Sequence, residues 1–125
     1  AAGARAKVRC GGATRDAVPP CEWLAEVLVG CAERGLALKA TAGLHQPFRH
    51  QGPAGPQHGF VNLLAAAAAA RAGARRPAVA MILAMEEPEA VELVDQLARA
   101  RDLLLSVGTC SIDEPIDALV ARGLL

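Results

Sequence analysis

Two basic residues in predicted strands are the first candidates for chemistry. Lys39 lies within the apolar run 36–41 (LALKAT), and Arg9 lies within the shorter run 6–10 (AKVRC). Strands of a parallel sheet are normally buried on both faces, so a cation in one of them needs a partner or a use. Because sites of parallel α/β folds form at the carboxyl ends of the strands, we expect Arg9 and Lys39 to converge on one pocket. Thr41 shares a strand face with Lys39 and is expected to line the same pocket.

Three interpretations of this basic pair stay open. Both side chains can lie on an edge strand and reach solvent along their aliphatic stems. Alternatively, the pair binds a phosphate or a carboxylate. In the third interpretation, the like charge of Arg9 favours the neutral amine of Lys39, which then forms a Schiff base with a carbonyl substrate.

All three histidines fall in one loop, 44–59, which is rich in glycine and proline. The spacing of His45, His50 and His58 matches no metal motif, and such a loop is a poor platform for zinc. We therefore expect no metal and no other cofactor. His45 follows Lys39 by six residues and is the candidate for acid–base catalysis, because imidazole titrates near neutral pH. The alternative is that these histidines only hydrogen-bond to the backbone.

Glycines follow each predicted strand, at Gly11, Gly12, Gly43 and Gly108. Glycine lets backbone amides approach an anion, and helix starts favour negative charge, although strand-to-helix turns also use glycine for geometry alone. No complete dinucleotide or P-loop pattern accompanies these glycines. The nearby Cys110 resembles a thiol activated at a helix start, where the adjacent Ser111 and Glu114 fit a helix-capping box.

Composition excludes several classes of protein. The 125 residues carry 13 basic and 13 acidic side chains, and only Trp23, Phe48 and Phe60 are aromatic. Nucleic-acid binding draws on a basic surplus and on aromatic platforms, so no nucleic-acid partner is expected. No long apolar run or leader sequence is visible, which argues against a membrane partner and against export. The four irregularly spaced cysteines then indicate reduced, semi-buried thiols in a cytoplasmic protein.

Strand and helix patterns alternate along the chain. The strand patterns cover 6–10, 36–41 and 103–107, while the apolar run 78–85 fits either a strand or the start of a helix. Helix patterns follow Pro19-Pro20 up to Gly35 and cover 60–72, 86–101 and 111–125.

This alternation predicts an α/β fold with three to four strand–helix units and parallel strands. An eight-unit barrel needs roughly 250 residues. We therefore expect one domain over 1–125 that forms either a small open sheet or about half of a TIM-type barrel. A half-barrel would pair with a copy of itself or be a fragment of a larger protein.

Four segments together resemble a known family. They are RCGG (9–12), LKATAGLHQP (38–47), HGFVNLL (58–64) and SVGTCSIDEP (106–115), in this order. They are similar to the C-terminal part of a family of uncharacterised bacterial α/β proteins of barrel-like type. The resemblance implies the fold and a fragment, and it implies no reaction. Gln46 stands where that family has a second histidine, which weakens a two-histidine role for the loop.

A shorter resemblance surrounds Lys39. The segment KATAG (39–43) is similar to the K-T-S-T-G segment of class I aldolases of the deoxyribose-phosphate type. The preceding helix also ends in an acid-and-glycine turn, Glu33-Arg34-Gly35, as in those enzymes. The resemblance implies that Lys39 is the amine that forms an imine with substrate.

Three hypotheses about function follow. The first is an aldolase-like lyase that acts on a small anionic carbonyl metabolite, with an imine at Lys39, proton transfer by His45 and the anion held by Arg9. The second is a non-catalytic module that binds an anion in the same pocket. The third is an inactive, truncated barrel, which would be unstable alone because it exposes sheet edges.

Overall fold

A parallel sheet forms the centre of the fold. The computed structural model describes residues 5–94, 104–107 and 113–123. The strands are β1 (Arg5–Arg9), β2 (Ala37–Thr41), β3 (His50–Gly52), β4 (Gly55–Gln57) and β5 (Leu104–Val107). The order β1-β2-β5 forms the parallel sheet, and β3 pairs with β4 in a separate antiparallel hairpin. The protein is therefore of mixed α/β type, as predicted.

Three helices pack together on one face of the parallel sheet. The helices of the described residues are α1 (Cys21–Glu33), α2 (Phe60–Arg71), α3 (Arg76–Ala84), α4 (Glu87–Ala90) and α5 (Asp113–Ala121). Helix α1 begins directly after Pro20, and its buried Leu24 and Leu28 recur at the spacing of one helical face. Helix α2 is rich in buried alanine, whose small side chain lets α1 and α3 approach closely. In the described part of the chain, no helix is long and apolar enough to cross a lipid bilayer.

The two faces of the parallel sheet differ in exposure. Val8, Leu38 and Ala40 are buried against the helices. The alternate residues Lys7, Arg9 and Lys39 are exposed on the opposite face, here called the open face. Strand alternation accounts for this division, since successive side chains point to opposite sides of a sheet. Solvent exposure of Arg9 and Lys39 is what the first of the three interpretations describes, although β2 pairs with both β1 and β5 and is not an edge strand.

Several elements differ from the sequence-based expectations. The ambiguous run 78–85 falls mostly in helix α3, which begins next to Pro77 and buries Val79 and Leu83 four residues apart. The helix expected over 86–101 is seen only as the short α4 and a 3-10 turn at 91–94, and its remainder lies outside the described residues. The loop 44–59 contains the β3–β4 hairpin, which was not predicted.

The turn after β2 has an unusual backbone. Ala42, Gly43 and Leu44 have φ angles of 66°, 69° and 60°, so three successive residues lie in the left-handed region. For a residue with a Cβ atom this region costs about 1–2 kcal/mol. A Cβ built on Gly43 would also lie 3.0 Å from the Cα of Gly11, so the turns after β1 and β2 touch through their backbones.

Single substitutions at positions 42 and 43 test this turn. We expect Gly43→Ala to lower the free energy of unfolding by about 1–3 kcal/mol, because the new methyl group meets Gly11 in a strained backbone. We expect Ala42→Gly to leave stability unchanged or to raise it by up to about 1 kcal/mol, because it relieves the same strain. Urea unfolding of both variants measures the difference, and equal losses of stability would contradict the described turn.

Candidate functional site

Three segments enclose a cleft at the carboxyl ends of β1 and β2, here called the anion cleft. Its volume is about 670 Å³. The turn after β1 contributes one wall, the turn after β2 contributes another, and the β3–β4 hairpin closes the third side. Its polar and charged side chains are those of Arg9, His45, His50 and Gln57. The cleft lies where sequence reasoning expected a site, because strand ends in parallel folds leave such a crevice.

Arg9 is the cation of the anion cleft. Its side chain is exposed, and Nη2 lies 3.5 Å from the position of a Cβ built on Gly12. Within the part of the chain that is described, no carboxylate pairs with Arg9. No acidic side chain lines the cleft among those residues either. The guanidinium is thus available to an anion, to which its planar array of N–H donors can bind in bidentate fashion.

The hairpin packs directly on the strand-end turns. The side-chain Oε1 of Gln57 lies 3.2 Å from where a Cβ on Gly11 would be. The Cγ of Gln57 likewise lies 3.0 Å from the position that a Cβ on Gly52 of the same hairpin would take. A glycine at position 11 therefore leaves room for both the Gly43 backbone and the Gln57 amide, which brings hairpin residues over the cleft.

His45 and His50 both line the anion cleft. His45 follows the left-handed turn after β2 and already takes part in an interaction within the chain. The Nδ1 atom of His50 lies 3.0 Å from the main-chain oxygen of Phe48. Two histidines from different segments of the loop therefore line the same cleft as Arg9.

Lys39, which was expected to share a pocket with Arg9, is not among the residues that line this cleft. Lys39 is exposed on the open face, and its Cα is paired in register with that of Lys7. Lys39 lies two residues before the end of β2, whereas the cleft is lined by the turns that follow β1 and β2. Thr41 is also absent from the cleft lining: its Oγ1 donates a hydrogen bond to the main-chain oxygen of Val8 at 3.4 Å. The predicted residues that the cleft brings together are Arg9, Gly12, Gly43 and His45.

His58 has a structural role and does not line the anion cleft. The ring is buried, with Nε2 at 2.7 Å from the main-chain oxygen of Pro19 and Nδ1 at 3.2 Å from Nη1 of Arg49. A carbonyl only accepts and a guanidinium only donates, so the hydrogen lies on Nε2 and the ring is neutral. Burial lowers the pKa of His58, and the charge of Arg49 lowers it further, against the opposing effect of the hydrogen bond to Pro19.

Asn62 extends the same buried network, here called the clamp and formed by Arg49, His58 and Asn62. Its Oδ1 accepts a hydrogen bond from the backbone amide of Arg49 at 2.9 Å. Its Nδ2 donates to the main-chain oxygens of Ile82 and Met85 at 2.9 and 2.8 Å. The clamp joins the start of the hairpin to α2 and to the end of α3. The sequence analysis missed this role, because His58 precedes helix α2 and no helical spacing links it to Asn62.

Gly59 allows the clamp to form. A Cβ at this position would lie 2.3 Å from the carbonyl carbon of Phe48, so only a residue without a side chain fits there. The main chains of both segments are joined by hydrogen bonds from Phe60 N to Gln46 O at 3.1 Å and from Val61 N to Pro47 O at 2.7 Å. The HGFVN segment is therefore a structural unit that holds the loop against α2.

The three cysteines within the described residues are buried thiols. Cys10, Cys21 and Cys31 are free and buried, and burial raises the pKa of Cys10 to about 12. A thiol with so high a pKa is a poor nucleophile. Gly108, Cys110 and Ser111 lie outside the described residues. Among the residues that are described, no three His, Cys, Asp or Glu side chains cluster closely enough to hold a metal ion.

Acid titration should reveal the neutral imidazole of His58. An unfolded histidine takes up a proton near pH 6.5, whereas the pKa of His58 is lowered in the folded protein. The unfolded state thus binds more protons below that pH, so this contribution to stability is complete above about pH 6.5 and is lost as the pH falls. We expect His58→Gln to cost about 1–3 kcal/mol at neutral pH and to remove this acid-sensitive component.

Urea unfolding at several pH values between about 7 and 5 measures this effect. His45→Gln is the control, because it removes another histidine of the same loop and should retain the component due to His58. If the His58→Gln variant loses stability over this range as steeply as the parent protein, the neutral buried imidazole is contradicted.

Comparison with known proteins leaves the site to be interpreted from its own chemistry. No family model, no curated protein and no solved structure matches the chain. The family resemblance of the four sequence segments therefore stays a prediction. Three observations bear on function: Arg9 has no carboxylate partner among the described residues, His45 and His50 line the same cleft, and the turn after β2 is strained.

Proposed function

We propose that the anion cleft binds a small metabolite carrying a phosphate or carboxylate group, with Arg9 as its cationic anchor. The observation that supports this most directly is that Arg9, His45 and His50 line one cleft. Arginine is suited to planar, bidentate recognition of such groups. The apolar part of the lining, which includes Leu44 and Pro53, suits the short carbon skeleton of a small metabolite.

The charges around the cleft favour the same ligand class. Lys7 and Lys39 are the two lysines of the chain, and both lie on the open face beside Arg9. Charges of one sign on neighbouring strands raise the local potential and attract ligands of the opposite sign. The positive field therefore extends from the strand ends along the open face of the sheet.

We further propose that the sheet is part of a larger parallel arrangement such as half of a TIM-type barrel. The order β1-β2-β5 follows the chain, and α1–α3 lie on one face. Sequential strands with helices on the outer face are the pattern of a barrel wall. The open face with Lys7, Arg9 and Lys39 would then be turned towards the interior.

Imine chemistry at Lys39 is a second candidate function, and the register of β1 and β2 favours it. Arg9 is paired with Thr41, two residues beyond Lys39 on the same face. A rise of about 3.3 Å per residue and a strand spacing of about 4.8 Å put the Cα atoms of Arg9 and Lys39 about 8 Å apart. A short aldehyde with a terminal phosphate can span this distance. The Lys39 amine would attack the carbonyl carbon, and loss of one water molecule would give the imine.

Titration with inorganic phosphate tests the first proposal. We expect Arg9→Gln to weaken phosphate binding at least about tenfold, since one charge-assisted interaction contributes about 1.5–3 kcal/mol. Arg75→Gln is the matched control, because it removes an exposed arginine on the helical side of the molecule. Isothermal titration calorimetry compares both variants with the parent protein. Equal phosphate affinity of the parent protein and the Arg9→Gln variant would rule out the proposed anchor.

Borohydride reduction in the presence of small aldehydes tests the second proposal. With two lysines in the chain, mass spectrometry can assign each adduct to Lys7, Lys39 or the amino terminus. We expect a three-carbon phosphorylated aldehyde to label Lys39 at least about tenfold faster than its uncharged analogue, since the anchored anion holds the carbonyl near the amine.

Three variants separate specific labelling of Lys39 from the intrinsic reactivity of an exposed amine. Lys39→Arg should abolish the labelling, the matched variant Lys7→Arg should retain it, and Arg9→Gln should remove the preference for the phosphorylated aldehyde. Equal labelling of Lys7 and Lys39, without regard to the charge of the aldehyde, would contradict imine catalysis at Lys39.

A further inference from the structure

The hydrogen bond of His50 determines which ring nitrogen can meet a ligand. Nδ1 lies 3.0 Å from the main-chain oxygen of Phe48. Because a carbonyl can only accept, Nδ1 carries a hydrogen and donates it. Within the part of the chain that is described, no side chain or main-chain group forms a hydrogen bond with Nε2. This nitrogen is therefore the one that can exchange a proton with a bound molecule.

His50 also stands between two groups of charges. On one side it lines the anion cleft with Arg9 and His45. On the other it lines a smaller cleft of about 310 Å³ with Arg49, Glu86 and Glu87. The Glu87 carboxylate is already paired with Arg122, at 3.0 Å. The Phe48 carbonyl that anchors the ring belongs to the segment that the clamp and Gly59 hold in place.

The charge of a ligand then decides the charge of the imidazole. A dianion bound at Arg9 favours a positive charge on His50, because an imidazolium facing it gains an opposite charge and a charge-assisted hydrogen bond. Anion binding and protonation of His50 should therefore strengthen each other by the same factor.

We propose that His50, through Nε2, is the proton-exchanging residue of the anion cleft, and that the preferred ligand is a phosphate monoester in its dianionic form. This inference rests on the anion binding proposed above. The two charges of the dianion match one guanidinium and one imidazolium. When the ligand arrives as a monoanion, the proton of its P–OH group passes to Nε2, which leaves the dianion beside imidazolium and guanidinium. No other bond changes.

The assignment gives His45 a different role from the one its sequence position suggested. His45 lines the cleft and follows Lys39 closely, but it comes directly after the strained turn and has an interaction of its own within the chain. His50 combines a ring nitrogen fixed by a main-chain carbonyl with a second nitrogen that a ligand can reach. This is the arrangement in which a histidine has a defined tautomer and can transfer a proton.

Sulfate is a suitable first probe, because its own charge stays constant near neutral pH while that of His50 can change. We expect sulfate affinity to rise about fivefold or more as the pH falls from about 8 to about 6, as coupled protonation requires. His50→Gln should flatten this pH profile, whereas His45→Gln should retain it. Side-chain ¹⁵N NMR should show that the His50 ring carries a hydrogen on Nδ1 in the free protein and on both nitrogens in the complex.

Inorganic phosphate then tests the proton transfer itself, with the backbone amide signals of Gly11 and Gly12 as reporters of binding. If phosphate shifts these amides and the shift depends on Arg9 while the His50 ring stays neutral, the anion cleft stands and the role of His50 is refuted. The same conclusion follows if His45→Gln, and not His50→Gln, flattens the sulfate profile. If neither anion shifts the amides, both the anion cleft and this inference are overturned.

Discussion

The close contact between the backbones of Gly11 and Gly43 is the constraint on which the site depends. It brings the turns after two neighbouring parallel strands together. A Cβ built on either glycine would lie only 3.0–3.1 Å from the Cα of the other. Arg9 precedes one turn and His45 follows the other, so the contact determines how close their side chains can come. The left-handed backbone of Ala42 and Leu44 is the energetic cost of this geometry. Strain of this kind, at a turn that lines a cleft, is typical of positions retained for a function.

The clamp of Arg49, His58 and Asn62 holds the segment before the hairpin that closes the third side of the cleft. Its hydrogen bonds are partly buried, involve the buried side chains of His58 and Asn62, and join separate segments of the chain. Buried polar groups whose partners are all present make a local structure specific, since the loss of one partner leaves another unsatisfied. The clamp holds the segment before the β3–β4 hairpin and so allows a loop rich in glycine and proline to present His50 in a defined orientation.

Sequence reasoning predicted the elements with a strong periodic signal. Strands near 6–10 and 36–41 and helices after Pro20 and Gly59 are present as expected, because their apolar spacing and flanking prolines or glycines agree. Helix α3 could not be separated from a strand, since an unbroken apolar run fits both. The hairpin was missed because His50–Gly52 and Gly55–Gln57 lack β-branched and aromatic residues, so tertiary packing decides their conformation. The exposure of Lys39 was one of three open interpretations, because a single sequence does not show which face of a sheet is covered.

The main proposal is that an anion binds where the turns after β1 and β2 meet. The most direct measurement is an NMR titration of isotopically labelled protein with inorganic phosphate, in which the backbone amide signals of all residues except proline are monitored. We expect saturable shifts concentrated at Gly11, Gly12 and Gly43 and at the hairpin residues His50 and Gln57, with little change at the exposed Arg75 and Arg76 at the start of α3. Shifts spread evenly over the basic residues of the surface, or the absence of any saturable shift, would contradict it.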